Sequence, residues 1–488
     1  MAVPRKVYRW AYYVRTVDSA RNLLIQGRQK GLNGQMVDKL DTRLALLEVN
    51  EARRIENIIP LSSTQLGDNQ LKAIENKSVL ELHAAGMLHY KQRDFLKAEE
   101  LFHKGLKLKP DWAELYKDIG NNYLSQKKYD EAIASYQKAI AIDSTYIAPV
   151  KNLGAVEYLL GNIKKAIYYF QQGYNMDPKC NGTLYNLGIS YYLNGEQAAA
   201  TACLNKIIEQ DLDRWVVDSA AYLAVLHYLN NDSQSSEKLI KNFSRKTSNE
   251  NTKLDSYFNF LDLLISSQVS KNQSNKDNFL YVIGESHALV PHGLSISYGG
   301  AEKYCTSKWI VGCKQWHLAN DQSNKYKYKF EFELANLPSK SNILVTIGEI
   351  DCRINEGVIP FIKQHPKINL EYTIRSTVTN FLAYVELQSK KYSHQIIISG
   401  IPAPNINFSK VNAQDTILLI KTVDQFNITL TDKCKEFGFD FLDVYSLTNR
   451  GDGISNNKWH IDDFHLKPSA IQVLFDNHHI KFSKSSNL

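Results

Sequence analysis

Two short stretches, 179 residues apart, hold the residue types needed for nucleophilic catalysis. Gly284-Glu285-Ser286-His287 follows an apolar run and places a hydroxyl on a tight turn. A serine at the junction of a strand and a helix exposes its oxygen, while the first N–H groups of the helix point at a developing oxyanion. It also serves as an ordinary helix cap. The second stretch, Trp459-His460-Ile461-Asp462-Asp463-Phe464-His465, contains Asp-x-x-His. A serine needs a base, and that base needs a carboxylate to fix its tautomer. Asp462 and His465 can supply both from one loop, with His460 and Asp463 as neighbours. The four groups from His460 to His465 also have the density of a metal-ligand set, but that reading leaves the strand-end Ser and Gly unexplained. His287 is placed either to contact a substrate or to cap the turn.

These residues need a scaffold that brings the two stretches together. From about residue 278, short apolar runs recur: Phe279–Ile283, Trp309–Val311, Ile343–Ile347, Ile396–Ile398 and Phe439–Val444. Helical patterns separate several of them, including Tyr372–Lys390 and Ala413–Phe437. Buried strands alternating with helices predict a parallel sheet covered by helices, with sites at the carboxyl ends of the strands. Ser286 is expected at the end of the first strand, its hydroxyl within hydrogen-bond reach of His465.

From about Asn278 to Val473 the chain resembles the SGNH/GDSL hydrolases. Gly284-Glu285-Ser286 matches the nucleophile block, with Glu285 in place of Asp, and Asp462 and His465 match the last block. The resemblance implies a flavodoxin-like three-layer α/β domain with a five-stranded parallel sheet. It implies that Gly312, after the second strand, gives an N–H to the oxyanion. The third block, Gly-x-Asn-Asp in the family, reads Gly348-Glu349-Ile350-Asp351 here. Ile350 thus replaces the Asn donor, a loss worth roughly 100- to 1,000-fold in rate. Arg353 is the substitute nearest in sequence, positioned by Asp351 or Glu349, or else it is a structural ion-pair residue. The implied function is that of a serine-dependent esterase or O-acyltransferase without cofactor or metal, acting on a small acyl group, O-acetyl on a carbohydrate by analogy with family members. The alternative is a catalytically weak domain in a binding or scaffold protein, which Ile350 favours.

The first half of the chain has a different organisation. Gly86, Gly120, Gly154 and Gly188 recur at intervals of 34 residues, as do Ala98, Ala132, Ala166 and Ala200. Phe102, Tyr136 and Phe170 share one offset, where Leu204 stands in the fourth unit. Pro110 and Pro178 close two units, and Ser144 replaces Pro in another. Over Val79 to Leu212 this resembles the tetratricopeptide repeat (TPR). Small residues let paired helices approach, a large aromatic fills the gap beside Ala, and stacked units bury each other's apolar faces. Turns are expected near residues 94, 128, 162 and 196. Asp213–Phe243 reads as a degenerate fifth pair. The resulting division is 1–78 helical segment, 79–243 repeats, 244–277 linker with a short helix at Leu254–Leu264, and 278–488 α/β domain. Tyr158, Tyr185 and Tyr192 are among many aromatics that line a concave docking surface or simply pack the repeats. A protein partner for the array is expected.

Composition sets the outer bounds. The 488 residues are 43% hydrophobic and 22% charged, ordinary values for globular protein. A net charge of +7, from 58 Lys and Arg against 51 Asp and Glu, is spread without a dense basic cluster, which argues against nucleic acid. The six cysteines form no CxxC pair, as expected of reduced thiols in a cytoplasmic protein. Arg9, Arg15, Asp18 and Arg21 break the N-terminal segment, so no secretory signal is read there, and no apolar run has transmembrane length. The aromatic and basic start around Tyr8, Trp10, Tyr12 and Tyr13 suits packing on the first repeat or a docking role.

Overall fold

The structure is a computed structural model that describes residues 68–210, 214–244, 254, 256–267, 278–409, 411–476 and 480–481. The helical pattern at Val37–Leu47 and the aromatic start lie outside the described residues. The chain divides into two compact units, Met1–Val156 and Glu157–Leu488. The second contains the later helical pairs together with the sheet.

In the first unit, helices Asp68–Lys91, Phe95–Leu108, Ala113–Ser125 and Tyr129–Ile142 form two antiparallel pairs. The glycines do what their spacing suggests. A Cβ at Gly86 would lie 2.5 Å from the Phe102 ring, and one at Gly120 would lie 2.5 Å from the Tyr136 ring. Only a bare backbone lets the second helix bring its aromatic so close. Ala98 and Ala132 are fully buried beside them. Arg93 and Lys127 hold left-handed φ values at the inter-helix turns, as do Gly161 and Gly195 in the next two turns. Helices end at Leu108 and Met176, just before Pro110 and Pro178, and at Ile142 before Ser144.

In the second unit, helices Ile163–Met176, Asn181–Leu193, Gln197–Ile208, Arg214–Leu229 and Ser233–Phe243 continue the pattern. No strand occurs among the described residues from 79 to 212, and the inter-helix turns fall at the expected places. Gly188 is less crowded, with the nearest atom to a built Cβ being Cys203 Cβ at 3.1 Å, in keeping with the smaller Leu204 in that unit.

The sheet has seven strands: β1 Phe279–Gly284, β2 Ser295–Tyr298, β3 Ala301–Trp309, β4 Asn342–Thr346, β5 Gln395–Ser399, β6 Asp440–Leu442 and β7 Ile480–Lys481. Their order is β2-β3-β1-β4-β5-β6-β7. Parallel pairs join β3 to β1, β1 to β4, β4 to β5 and β5 to β6. The edge strands β2 and β7 are antiparallel. The sheet is therefore mixed: five strands run parallel, and where a five-stranded sheet was expected an antiparallel strand is added at each edge. The β2–β3 hairpin escapes a search for apolar runs because β3 alternates polar and buried residues over Ala301–Trp309. Gly299-Gly300, both with left-handed φ, makes the turn. Helices Leu370–Lys390 and Ala413–Phe437 bury Val378, Phe381, Phe426 and Leu430 against Ile343, Val345, Ile396 and Ile398 of the central strands.

Within this unit the later helices meet the sheet through tyrosines. The Tyr192 hydroxyl donates to the Trp309 carbonyl at 2.8 Å, and the Tyr228 hydroxyl to the Leu289 carbonyl at 3.1 Å. The Tyr222 and Trp309 rings lie 4.7 Å apart. Lys329, almost wholly buried, reaches the Tyr192 carbonyl and pairs with Glu333 at 2.6 Å. Gly195 sits against Phe332 so closely that a Cβ would be 2.3 Å from its ring. The helix expected at Leu254–Leu264 is Ser256–Ser266, with Phe258, Phe260, Leu261 and Leu264 buried.

Candidate active site

β1 ends at Gly284, where any side chain would strike Thr346 of β4: a built Cβ lies 2.2 Å from Thr346 Oγ1. The chain then turns into a single 3-10 turn, Ser286–Leu289. Gly284 is in register with Trp309, the last residue of β3, and the Ile310 N–H donates to the Gly284 carbonyl at 2.7 Å. The Ser286 turn and the loop after β3 are thereby tied together. Gly312, on that loop, has φ +66.

Ser286 and His465 are both buried, at 5% and 8% exposure. Ser286 Oγ lies 2.7 Å from His465 Nε2, and His465 Nδ1 lies 2.7 Å from Asp462 Oδ2. Asp462 also accepts the Phe464 and His465 backbone N–H groups, at 2.8 and 2.6 Å. Burial alone would raise the Asp462 carboxyl, but the His465 ring and these N–H groups hold it down to about 2. A carboxylate fixed in this way keeps the Nδ1 proton and leaves Nε2 to face the serine.

A second network meets the same serine. The Ser286 hydroxyl also contacts Glu285 Oε2, and Glu285 Oε1 lies 2.5 Å from His287 Nδ1. Glu285 is 1% exposed. Burial opposes its charge, yet His287 and the Ser286 hydroxyl bring it down to about 2. Burial likewise opposes charge on His287, but Glu285 lifts it to about 9. His287 Nε2 reaches the Phe464 carbonyl at 3.1 Å, which ties the serine turn to the histidine loop. Glu285 is thus a weak base already satisfied by a cation.

In the third block Glu349, not Asp351, positions Arg353, and Asp351 has another task. Its carboxylate accepts the Gln315 and Trp316 N–H groups at 2.7 and 3.2 Å, starting helix Gln315–Ala319. It neither pairs with Arg353 nor bonds the Ser286 turn. Burial raises its carboxyl to about 7. Arg353 instead forms a two-pronged pair with Glu349, at 2.9 and 2.6 Å to Oε2, and its guanidinium stacks 4.4 Å over the Phe464 ring. Ile350 is buried. Gly348 holds φ +148, where a Cβ would be 2.6 Å from Gln315 Nε2.

His460 bonds Ser455 Oγ at 2.8 Å through Nδ1, and burial holds it down to about 4, while Asp463 is exposed. Among the described residues, the grouping that could geometrically hold a cation is a different one, Glu285, His287 and Glu349, with ligand atoms within 4.8 Å of one another. Each of its members is already engaged, Glu285 with His287 and Glu349 with Arg353. A cavity opens beside them, lined by Glu285, His287, Gly348, Glu349, Ile401 and Leu466 at the strand ends.

Two contributors were not singled out from the sequence. The Phe260 ring stacks on His465, with centroids 3.8 Å apart and planes 21° apart. Tyr257 lies one turn earlier on the same helix, its ring 5.3 Å from Trp309. The only hint was the apolar helical spacing of Tyr257, Phe260, Leu261 and Leu264.

Comparison with known proteins concerns the helical part. A TPR repeat family model matches residues 120–161, and a tetratricopeptide repeat model matches 183–211. The chain is 27% identical over 116 residues to the peroxisomal targeting signal receptor of Candida albicans, covering 24% of this chain and 19% of that protein. It is 30% identical over 95 residues to protein O-mannosyl-transferase TMTC1 of Mus musculus, covering 19% of this chain and 10% of that one. The chain thus spans a small part of the length of these relatives. The solved structure of MamA aligns with 33% of this chain and 93% of its own, at 21% identity and a TM-score of 0.31. No helix among the described residues is long and apolar enough to cross a membrane. The family models and the helical geometry agree that the N-terminal part of the chain carries tetratricopeptide repeats.

Proposed function

We propose that residues 278–488 are an SGNH/GDSL-type hydrolase domain of flavodoxin-like architecture, and that the chain is a serine-dependent esterase or O-acyltransferase. The observation that carries this reading is the unbroken series Ser286–His465–Asp462, with both links at 2.7 Å. Ser286 Oγ attacks the acyl carbon as its proton passes to His465 Nε2. The tetrahedral intermediate collapses, the bond to the leaving alkoxide breaks, and His465 returns the proton to that oxygen. Water or a second hydroxyl then attacks the acyl-serine by the same route, giving free acid or a transferred acyl group. Asp462 keeps the Nδ1 proton and stabilises the imidazolium that forms between the two transfers. Glu285, neutralised by His287, orients the serine without taking its proton. The N–H groups of Ser286 and Gly312 face the developing oxyanion.

The substrate is a small acyl ester, O-acetyl on a carbohydrate by analogy with the hydrolase resemblance. The repeats dock a protein partner or the acyl acceptor, and the six unpaired thiols suit the cytoplasm. The competing reading, a weak hydrolase-like domain in a scaffold protein, is favoured by the buried Ile350 and by Arg353 being tied to Glu349. A fluorophosphonate probe followed by peptide mapping separates the two. Label on Ser286, together with turnover of a small acetyl ester, is expected; folded protein that takes no label and turns over no ester refutes the enzyme.

A further inference from the structure

The proposed reaction lacks one oxyanion donor, because Ile350 carries no polar atom and Arg353 is held by both prongs to Glu349. The structure brings another donor to the serine from outside the sheet region. Helix Ser256–Ser266 presents Phe260 and Tyr257, three residues apart and so on one face, and Phe260 fixes that face by stacking on His465. The Tyr257 ring packs edge-on to Trp309, whose Cα is in register with Gly284, two residues before Ser286. Among the described residues, the Trp309 indole N–H is fully buried and has no partner at ordinary hydrogen-bond distance. An orphaned buried donor is costly, so a neighbouring acceptor that meets it even at longer range is favoured. The Tyr257 hydroxyl is that neighbour. Burial above all raises its proton affinity, and Glu285, Trp309, Arg353 and Ser286 are the other groups that act on it.

Building on the esterase reading, we propose that Tyr257 is a catalytic residue that donates its hydroxyl proton, as a hydrogen bond, to the acyl oxygen on Ser286, filling the role that Ile350 vacates. The phenol accepts from the Trp309 indole, which leaves its own proton free to point toward the reacting carbonyl. A tyrosine stays protonated at neutral pH, so it is a permanent donor. Trp309 acts as a positioning residue. The oxyanion hole is then shared between the strand ends and a helix that precedes the sheet in the chain.

The test uses the full chain, with p-nitrophenyl acetate as substrate and a fluorophosphonate as probe. Tyr257→Phe keeps the ring and removes only the hydroxyl. Expected is a fall in kcat of about 100-fold, with KM within about twofold and a melting temperature close to native. Trp309→Phe should lower kcat by less than Tyr257→Phe does, and the double variant should add little, because the two act as one chain. Native protein that labels at Ser286 and turns over ester, with Tyr257→Phe equal to it in kcat, overturns the role of Tyr257 and leaves the esterase reading standing. Native protein with neither label nor turnover overturns both.

Discussion

The front and rear repeats share one sequence signature and use their tyrosines differently. In the first unit, hydroxyls bond within the array: Tyr136 to Asn121 at 2.8 Å, Tyr123 to Glu99 at 3.0 Å, and Tyr90 to Ser125 at 3.1 Å. In the second unit, Tyr192 and Tyr228 give their protons to backbone carbonyls of the sheet region, and Tyr222 packs on Trp309. Repeat periodicity reports which residues pack helix on helix. It carries no information about what else a repeat packs against. Of the two readings open for Tyr192, an open concave surface or packing, its burial within the second unit supports packing.

This contrast can be broken in graded ways. The largest effect belongs to Ser286→Ala in the rear unit, which should lower acetyl-ester turnover by at least about 10⁴-fold with no loss of fold. Its counterpart in the front unit, Gly120→Ala, drives a methyl against the Tyr136 ring. It should cost about 1–3 kcal/mol of stability in calorimetry while the folded fraction keeps native turnover. A turnover loss there would mean that the front repeats support the site.

Tyr192→Phe is intermediate. It strips the Trp309 carbonyl of its buried donor, an expected cost of about 1–3 kcal/mol, and it loosens the wall beside Tyr257. A few-fold loss of turnover accompanies it, whereas Tyr136→Phe in the front unit changes turnover not at all. Arg353→Ala is expected to lose stability and less than about threefold in turnover, because its guanidinium is occupied by Glu349. A tenfold loss would restore Arg353 as the oxyanion donor.

The smallest effect is a pH dependence. Glu285 raises His287 from its ordinary 6.5 to about 9. A group whose folded pKa is raised stabilises fully below its unfolded pKa. That contribution is lost as pH climbs from about 6.5 through 9. Thermal melts should show this slope in the native chain, and it should be absent in His287→Gln.

The nucleophile, base and carboxylate were legible because each sits in a short local pattern, Ser286 at a strand end and Asp462 three residues before His465. The repeats were legible because four copies repeat the same steric demand. Asp351 was misread because capping a helix 35 residues earlier leaves no local mark. The β2–β3 hairpin was readable in principle from its alternation and Gly299-Gly300, but only under a period-two search. Tyr257 and Phe260 were hidden more deeply. Their role depends on contacts with Trp309 and His465, across 52 and 205 residues of chain, and an apolar helix between polar stretches looks the same whether it covers a site or merely connects two parts.

The tyrosine contacts also bear on how the chain is made. Synthesis runs from the N-terminus, so Tyr192 and Tyr222 leave the ribosome well before Trp309 and Lys329, the groups that cover them, and Tyr228 before Leu289. During that interval the rear repeats hold an uncovered aromatic wall, and a fragment cut near residue 244 would hold it permanently. Such a fragment is expected to self-associate in water, so the rear repeats cannot be excised as a module: they mature only when the sheet closes over them.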